Sequence, residues 1–549
     1  MRKGIKKILA FGLALVLVLV PQQGFAAADW LSVGGNPQGN AAVGTALPQG
    51  KEQSKLKWKA QVGFAKNLLI YQGKLVVITE KQLSLLDRNT GKVVKSFPIE
   101  KNNGYSNYSP LIQGSRIYIS GKTGWILSYD LETGKKVWEY QAPAVARNPY
   151  SGASDLHADE TTLYVSNQGN VIGADKKTGA SLATVDALNL SDGSLKWHFE
   201  IPGGFYGSSA QILGNFIVYG TLGDAKAKVS PKLIALNRET GEQTGSLELA
   251  GGQSSGLVRF RDRLYFTDKS GTLSVVSVNE SGELNLVSAY KLPQASTCAP
   301  TIVSTKQGVV VFVGSAAKTG QFGDQGFLNI LNVKQGTQAK VATKGSVQGS
   351  PLVTKAYEEE GYLDAFFTYN AEPGGLLYAR YDLATGKASA EEVILPEGNE
   401  KNFNMMSPIT DGEGTVYVRN DSGTLYALTS SPKPEESSGS EVSSSGQESS
   451  VSSSEESGSG GSSGQSNSES SSKQGSSSGS SSESHNKFAG NRDEEKPRGN
   501  RKTEQSSQKS HSRKTSSPKT GDIIMKVVIA LIVALAALGG LLFWNRRKK

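Results

Sequence analysis

One phrase recurs along this chain between Leu56 and Thr429. It is a short apolar strand, a tight turn, an alternating strand, a Gly-containing turn, a third strand ending in Asp or Asn, then x-x-Thr-Gly and a fourth strand. The clearest copy runs Ser109-Pro110-Leu111-Ile112, then Arg116 to Ser120, then Trp125 to Asp130, then Leu131 to Trp138. The closing residue of the third strand falls at Asp87, Asp130, Asn189, Asn237, Asn279, Asn332 and Asp382, with Thr429 in the eighth place; successive separations lie between 42 and 59 residues. Each Asp or Asn is placed to close an Asx-type turn, and each following glycine (Gly91, Gly134, Gly193, Gly241, Gly282, Gly336, Gly386) to supply the positive φ of a hairpin.

A unit of four short strands cannot bury both faces of its sheet alone, so the units must pack on one another. No helical periodicity of useful length interrupts them before Ile523. Repeats of this length predict an all-β, eight-bladed β-propeller over 29–430. The eighth unit stops at Thr429 without an outer strand. Leu56 to Val62 stands ahead of the first full unit and reads like the outer strand Leu195 to Ile201, so it is expected to close the ring as the missing strand.

The ends of the chain fix where such a body would work. Arg2, Lys3, Lys6 and Lys7, an apolar run from Ile8 to Val20, and the small residues Gly24, Ala26, Ala27 and Ala28 predict a secretory signal over 1–28. From 431 to 516 the composition falls to Ser, Gly, Glu, Gln and Lys, which cannot bury enough apolar surface to fold. These residues predict a disordered stalk whose coil dimension is roughly 50 Å. The run from Val527 to Trp544 is about 27 Å long as a helix, close to the roughly 30 Å of a bilayer core. A transmembrane helix is therefore expected over 523–545, with the basic tail 546–549 on the cytoplasmic side and the body outside.

The formal charge of +9 does not point to nucleic acid. Between Asp29 and Ser430 there are 38 Lys plus Arg against 37 Asp plus Glu, which leaves no basic footprint to follow phosphates. The single cysteine, Cys298, has no disulfide partner and reads as a small core residue. His157, in the stretch SDLHADE, reads as a turn residue at the start of the third unit, and His198 as a solvent-facing residue of an outer strand. No catalytic constellation, cofactor loop or metal-ligand spacing appears in the sequence.

The phrase around Ser109 to Trp138, with its x-Asp-x-x-Thr-Gly-Lys-x-x-Trp core, resembles the pyrroloquinoline-quinone-like (PQQ-like) propeller repeat. Proteins with such repeats include quinoprotein dehydrogenases and the outer-membrane assembly lipoprotein of Gram-negative bacteria. The resemblance implies the propeller but not the quinone: the adjacent cysteine pair of the dehydrogenases has no counterpart here. Ser517-Pro518-Lys519-Thr520-Gly521, followed by the apolar run and the basic tail, resembles the cell-wall sorting signal of Gram-positive surface proteins, with Ser517 where the family has Leu. That resemblance implies attack by a sortase cysteine at the Thr520 carbonyl and transfer to a peptidoglycan amine.

In a propeller the loops between second and third strands open on the same face as the connections between blades. Here those connections carry Tyr105, Tyr108, Arg147, Tyr150, Phe205, Tyr206 and Phe403, aromatic and Arg side chains suited to stacking on a sugar or anchoring a peptide. The expectation is a cell-surface, non-enzymatic propeller that binds an extracellular protein or glycan and needs no cofactor. An envelope assembly scaffold and a quinone- or calcium-dependent sugar oxidoreductase are the alternatives.

Overall fold

The turn chemistry of the repeat is the local cause of the architecture. At Asp87 the carboxylate Oδ1 accepts from the amides of Asn89 and Thr90, at 3.0 and 2.8 Å, and from the Thr90 hydroxyl at 2.9 Å. Asp130 and Asp382 repeat this arrangement with Thr133 and with Ala384 and Thr385. The seven glycines that follow all have positive φ, from 66° to 87°. The computed structural model describes residues 29–102, 110–121, 124–142, 153–167, 182–205, 207, 209–316 and 325–431. The expected signal segment, and the stalk, sorting motif, membrane helix and tail from 432 onward, lie outside the described residues.

The described strands form eight sheets whose consecutive strands succeed one another as hairpins, with two strands from the N-terminal segment added to the last two sheets, as in an eight-bladed β-propeller. The second blade comprises Leu111–Gln113, Arg116–Ser120, Trp125–Asp130 and Lys136–Gln141. Inner and middle strands are buried, as in Phe216–Gly220, where every residue is; outer strands such as Gln243–Glu248 alternate between partial burial and exposure. The core lies between sheets. Val310, Phe312, Leu328 and Ile330 of the sixth blade share one cluster with Val353, Leu363 and Phe367 of the seventh.

The eighth blade is completed from the other end of the chain. Ser54–Gln61 pairs antiparallel with Thr424–Ser430 through seven matched positions. Its register shifts between Leu56 and Trp58, and the outer strands of the second and third blades shift at the equivalent places, around Val137 and Lys196. Each bulge turns the following tryptophan toward the next blade.

That tryptophan joins neighbouring blades. Trp138 of the second blade donates its indole N–H to Leu190 O of the third at 3.0 Å, and Trp197 of the third donates to Arg238 O of the fourth at 2.8 Å. Across the seam Trp58 of the eighth blade donates to Arg88 O of the first at 2.9 Å. Each ring also lies on the glycine of the next turn: a Cβ on Gly193, Gly241 or Gly91 would stand 2.6 to 2.7 Å from the indole. These turn glycines therefore serve twice, for positive φ and for the close approach of a neighbour's ring.

His198 sits exposed on an outer strand, as expected, yet its ring is paired. Its Nδ1 lies 2.6 Å from the buried Asp186 carboxylate and its Nε2 3.2 Å from Glu200. The hydrogen bond to Asp186 raises its pKa from 6.5 to about 9, against the effect of burial. A raised native value makes this contribution to stability complete below pH ~6.5 and lost as pH climbs through about 9. In an NMR titration the His198 ring should remain protonated at pH 7.5; a midpoint near the ordinary ~6.5 of a free imidazole would contradict the pairing.

Ahead of the closing strand, residues 29–50 cross the inner ends of the blades, a path with no counterpart in the repeat pattern. Trp30 exchanges backbone hydrogen bonds with Ile70 of the first blade, and Leu31 O accepts from Ile112 of the second. Gln38 O accepts from Arg259 of the fifth, and the Asn40 side chain brackets Ile302 of the sixth. Ala42–Val43 then adds a parallel strand to Leu352–Thr354 of the seventh. This segment straps the ring from within, and its own Trp30, Ala41 and Leu47 are buried against the blades.

Candidate functional site

Of the seven residues expected on the loop face, Tyr105, Tyr108, Arg147, Tyr150 and Tyr206 lie outside the described residues. The Phe205 ring is not open to a ligand. The residue is buried at 1% exposure, with its ring 5.4 Å from that of Tyr219 in the core between the third and fourth blades. An aromatic after Gly203-Gly204 is free to turn inward, and burying its ring outweighs leaving it in water. Phe403 does lie on a blade connection, half-buried, with its backbone carbonyl accepting from Asp421. Cys298 is fully buried as expected, and burial pushes its thiol up to about 12. Among the described residues no three His, Cys, Asp or Glu side chains gather as metal ligands.

The structure places a second site on the opposite, hairpin face. Between its anchor at Leu31 on the second blade and its anchor at Gln38 on the fifth, the strap arches. Gly34 and Gly35, at φ 70° and 77°, turn the chain, and a Cβ on Gly35 would stand 2.7 Å from the Trp30 ring. Asn36 holds the arch in shape: its Oδ1 accepts from the amides of Gln38 and Asn40, and its Nδ2 donates to the carbonyls of Gly34 and Asn40. Beneath the arch is a cavity of about 640 Å³, within the range of ligand sites. Leu31, Val33, Leu111, Leu156 and Ile212 supply apolar wall, and His157, Asp159, Gln211, Arg238 and Arg259 supply polar groups.

His157 is therefore not a turn residue. It belongs to the inner strand Ala153–Ala158 and pairs with Tyr164; the turn begins at Asp159, whose carboxylate accepts from the amides of Thr161 and Thr162. Burial, then the Arg259 and Arg238 guanidiniums, lower the His157 pKa from 6.5 to about 4 against the pull of Asp159. The imidazole is neutral at pH 7, so its contribution to stability is present above ~6.5 and is lost as pH falls toward 4.

Asp159 also accepts from the Tyr164 hydroxyl at 2.8 Å and pairs with Arg238 at 3.0 Å. Burial works to raise its carboxyl, yet these donors prevail and hold it below the ordinary range. Arg238 gives a further N–H to Gly214 O at 3.0 Å, while its buried Nε has no hydrogen-bond partner. Arg259 donates Nη1 to Ile212 O at 3.1 Å and meets no carboxylate among the described residues. Gln211 is 3% exposed, and its Oε1 is buried without a partner. None of these four was singled out from the sequence. The available signal was a polar residue inside a short inner strand, as in Gln211–Leu213 and Val258–Phe260.

Comparison with known proteins agrees with this architecture. Residues 40–215 match the family described as outer membrane protein assembly factor BamB, of the PQQ-like repeat type. A curated relative, outer membrane protein assembly factor BamB of Xanthomonas campestris pv. campestris, is 30% identical over 93 residues, 17% of this chain and 21% of the relative. The match thus spans about a fifth of that relative's length. Among solved structures, a europium-containing methanol dehydrogenase superposes with TM-score 0.53 at 12% identity, covering 73% of this chain and 98% of the other. The quinohemoprotein alcohol dehydrogenase of Comamonas testosteroni superposes with TM-score 0.54 at 13% identity, covering 74% and 82%. Likeness at such identities concerns the fold. The chain folds as an eight-bladed β-propeller, of which residues 40–215 are similar to a family of the PQQ-like repeat type.

Proposed function

We propose that this propeller is a non-enzymatic module, displayed on the cell surface, that binds an extracellular protein or glycan. One observation carries the reading: the ring is closed at its seam and strapped from within by its own N-terminal segment. A closed ring whose blades are joined by loops is a scaffold for recognition. On this reading Ser517 to Gly521 hands the chain to a sortase, and 431–516 lifts the disc from the peptidoglycan.

The test is capture by the full chain on a glycan array and in a pull-down from cell-wall extract, beside an assay of dye reduction with added quinone, calcium and sugars. Retention of one partner with no dye reduction is expected. Turnover dependent on quinone would replace this reading with the oxidoreductase. The assembly-factor match over 40–215 favours a second reading, a scaffold for envelope assembly; it predicts that the captured partner is itself a component of the assembly machinery.

A further inference from the structure

We propose that the cavity under the strap is a binding site for an N-acylated apolar amino acid, the chemistry of a free peptide C-terminus. This site is separate from the loop-face recognition proposed above, since it opens at the hairpin ends of the second, third and fourth blades.

Three features of the cavity each ask for one feature of the ligand. The first is positive charge without a counter-ion. Arg238 is matched by Asp159, but no carboxylate among the described residues pairs with Arg259, whose only side-chain bond there is to Ile212 O. A guanidinium held beside apolar walls is stabilised by a carboxylate brought to it, and its planar fork suits that group. The buried Arg238 Nε, with no acceptor of its own, is a second donor on the same wall.

The second feature is the unmet acceptor at Gln211 Oε1, in a side chain almost wholly removed from water. A buried carbonyl oxygen without a donor is costly, so the ligand needs an N–H close to its carboxylate. The third is the apolar wall of Leu31, Val33, Leu111, Leu156 and Ile212, which favours an aliphatic side chain over a sugar or a bare inorganic anion. The amide N–H, the carboxylate and the side chain all branch from the Cα of an amino acid, so one residue with an acylated amine meets all three.

His157 supports the assignment. The two arginines help keep it neutral, so it does not compete for the carboxylate, and Asp159 is already engaged by Arg238, Tyr164 and the turn amides. The arch is fastened by its own Asn36 and by the backbone of Arg259, through its N–H to Gln38 O. Replacing the Arg259 side chain therefore leaves the strap's anchor in place.

The experiment is calorimetric titration of the full chain with N-acetyl-leucine, and with N-acetyl-leucinamide as its uncharged counterpart. N-acetyl-leucine should bind and the amide should bind about ten- to a hundredfold more weakly, the cost of losing a charge-assisted hydrogen bond. Arg259→Gln should reduce the wild-type preference for the acid to near parity, Arg259→Lys should restore part of it, and Gln211→Leu should weaken acid and amide alike. Citrate should compete poorly for lack of an apolar side chain. The proposal is overturned if N-acetyl-leucine fails to bind the unaltered chain, if acid and amide bind equally, or if Arg259→Gln keeps the preference while its unliganded melting temperature matches wild type.

Discussion

Deleting residues 29–61 should abolish the closed ring while leaving seven of the eight blades intact in sequence. The deletion removes the strap and the outer strand of the eighth blade together. Thr424–Ser430 would lose its seven matched partners and become a bare edge. An unpaired edge of this length templates pairing with another chain, so self-association is expected. Trp58 leaves with the strand, taking its hydrogen bond to Arg88 O, its contact with Gly91 and its packing 6.0 Å from the Tyr417 ring. Trp58 is partly buried, so its loss costs less than the ~3–5 kcal/mol of truncating a fully buried tryptophan, yet it adds to the loss of the whole strand against the roughly 5–15 kcal/mol that holds a typical domain together. The shortened chain should elute as aggregate and give a protease ladder, where the intact body should give one resistant fragment. A single cooperative melting transition within a few degrees of the intact protein would show that neither strap nor seam matters.

The ring and its seam were legible because their causes are local and repeated. The Asp-x-x-Thr-Gly turn fixes its own hairpin through hydrogen bonds that span two or three residues, and its copies at Asp87, Asp130 and Asp382, with the Asn form at Asn237, reinforce the reading. The strand Leu56 to Val62 could be assigned to the eighth blade because it carries the same Leu-Lys-Trp spacing as Leu195 to Trp197. The strap left no such trace. Residues 29–50 take their conformation from partners up to hundreds of positions away, such as Ile302 for Asn40 and Val353 for Ala42.

The cavity was hidden for the same reason: its wall is assembled from four short stretches and the separate residues Arg238 and Arg259, each too brief to show a pattern. His157 was misassigned because Ala153–Ala158, rich in small and polar residues, is a weak strand in isolation, and the Asp159-Glu160-Thr161 turn stands directly beside it. Phe205 shows the reverse difficulty. An aromatic on a blade connection satisfies either a ligand or the core, and only the position of Tyr219 decides between them.

The expected cost of Gly193→Ala separates the two tasks of the turn glycines. At φ 75° any side chain meets a steric penalty of about 1–2 kcal/mol. At this position the new methyl would also stand 2.6 Å from the Trp138 ring, whose N–H is held by Leu190 O and which cannot withdraw without losing that bond. Overpacking of this kind costs about 1–3 kcal/mol more. Gly336 offers the internal control, since it has nearly the same φ, 66°, and nothing within 4 Å of a built Cβ. Gly336→Ala should therefore show the conformational penalty alone, and Gly193→Ala should unfold at clearly lower denaturant with an unchanged slope.

The decisive comparison is made in a Trp138→Ala background. There the collision is gone and Gly193→Ala should fall back to the cost seen at Gly336, a coupling of roughly 1–3 kcal/mol between two residues on adjacent blades. Equal costs at the two glycines, or a Gly193 cost unaffected by removing the indole, would mean that the tryptophan merely rests on the turn. The blades would then owe their order to the shared core rather than to the docking of each outer strand on its neighbour.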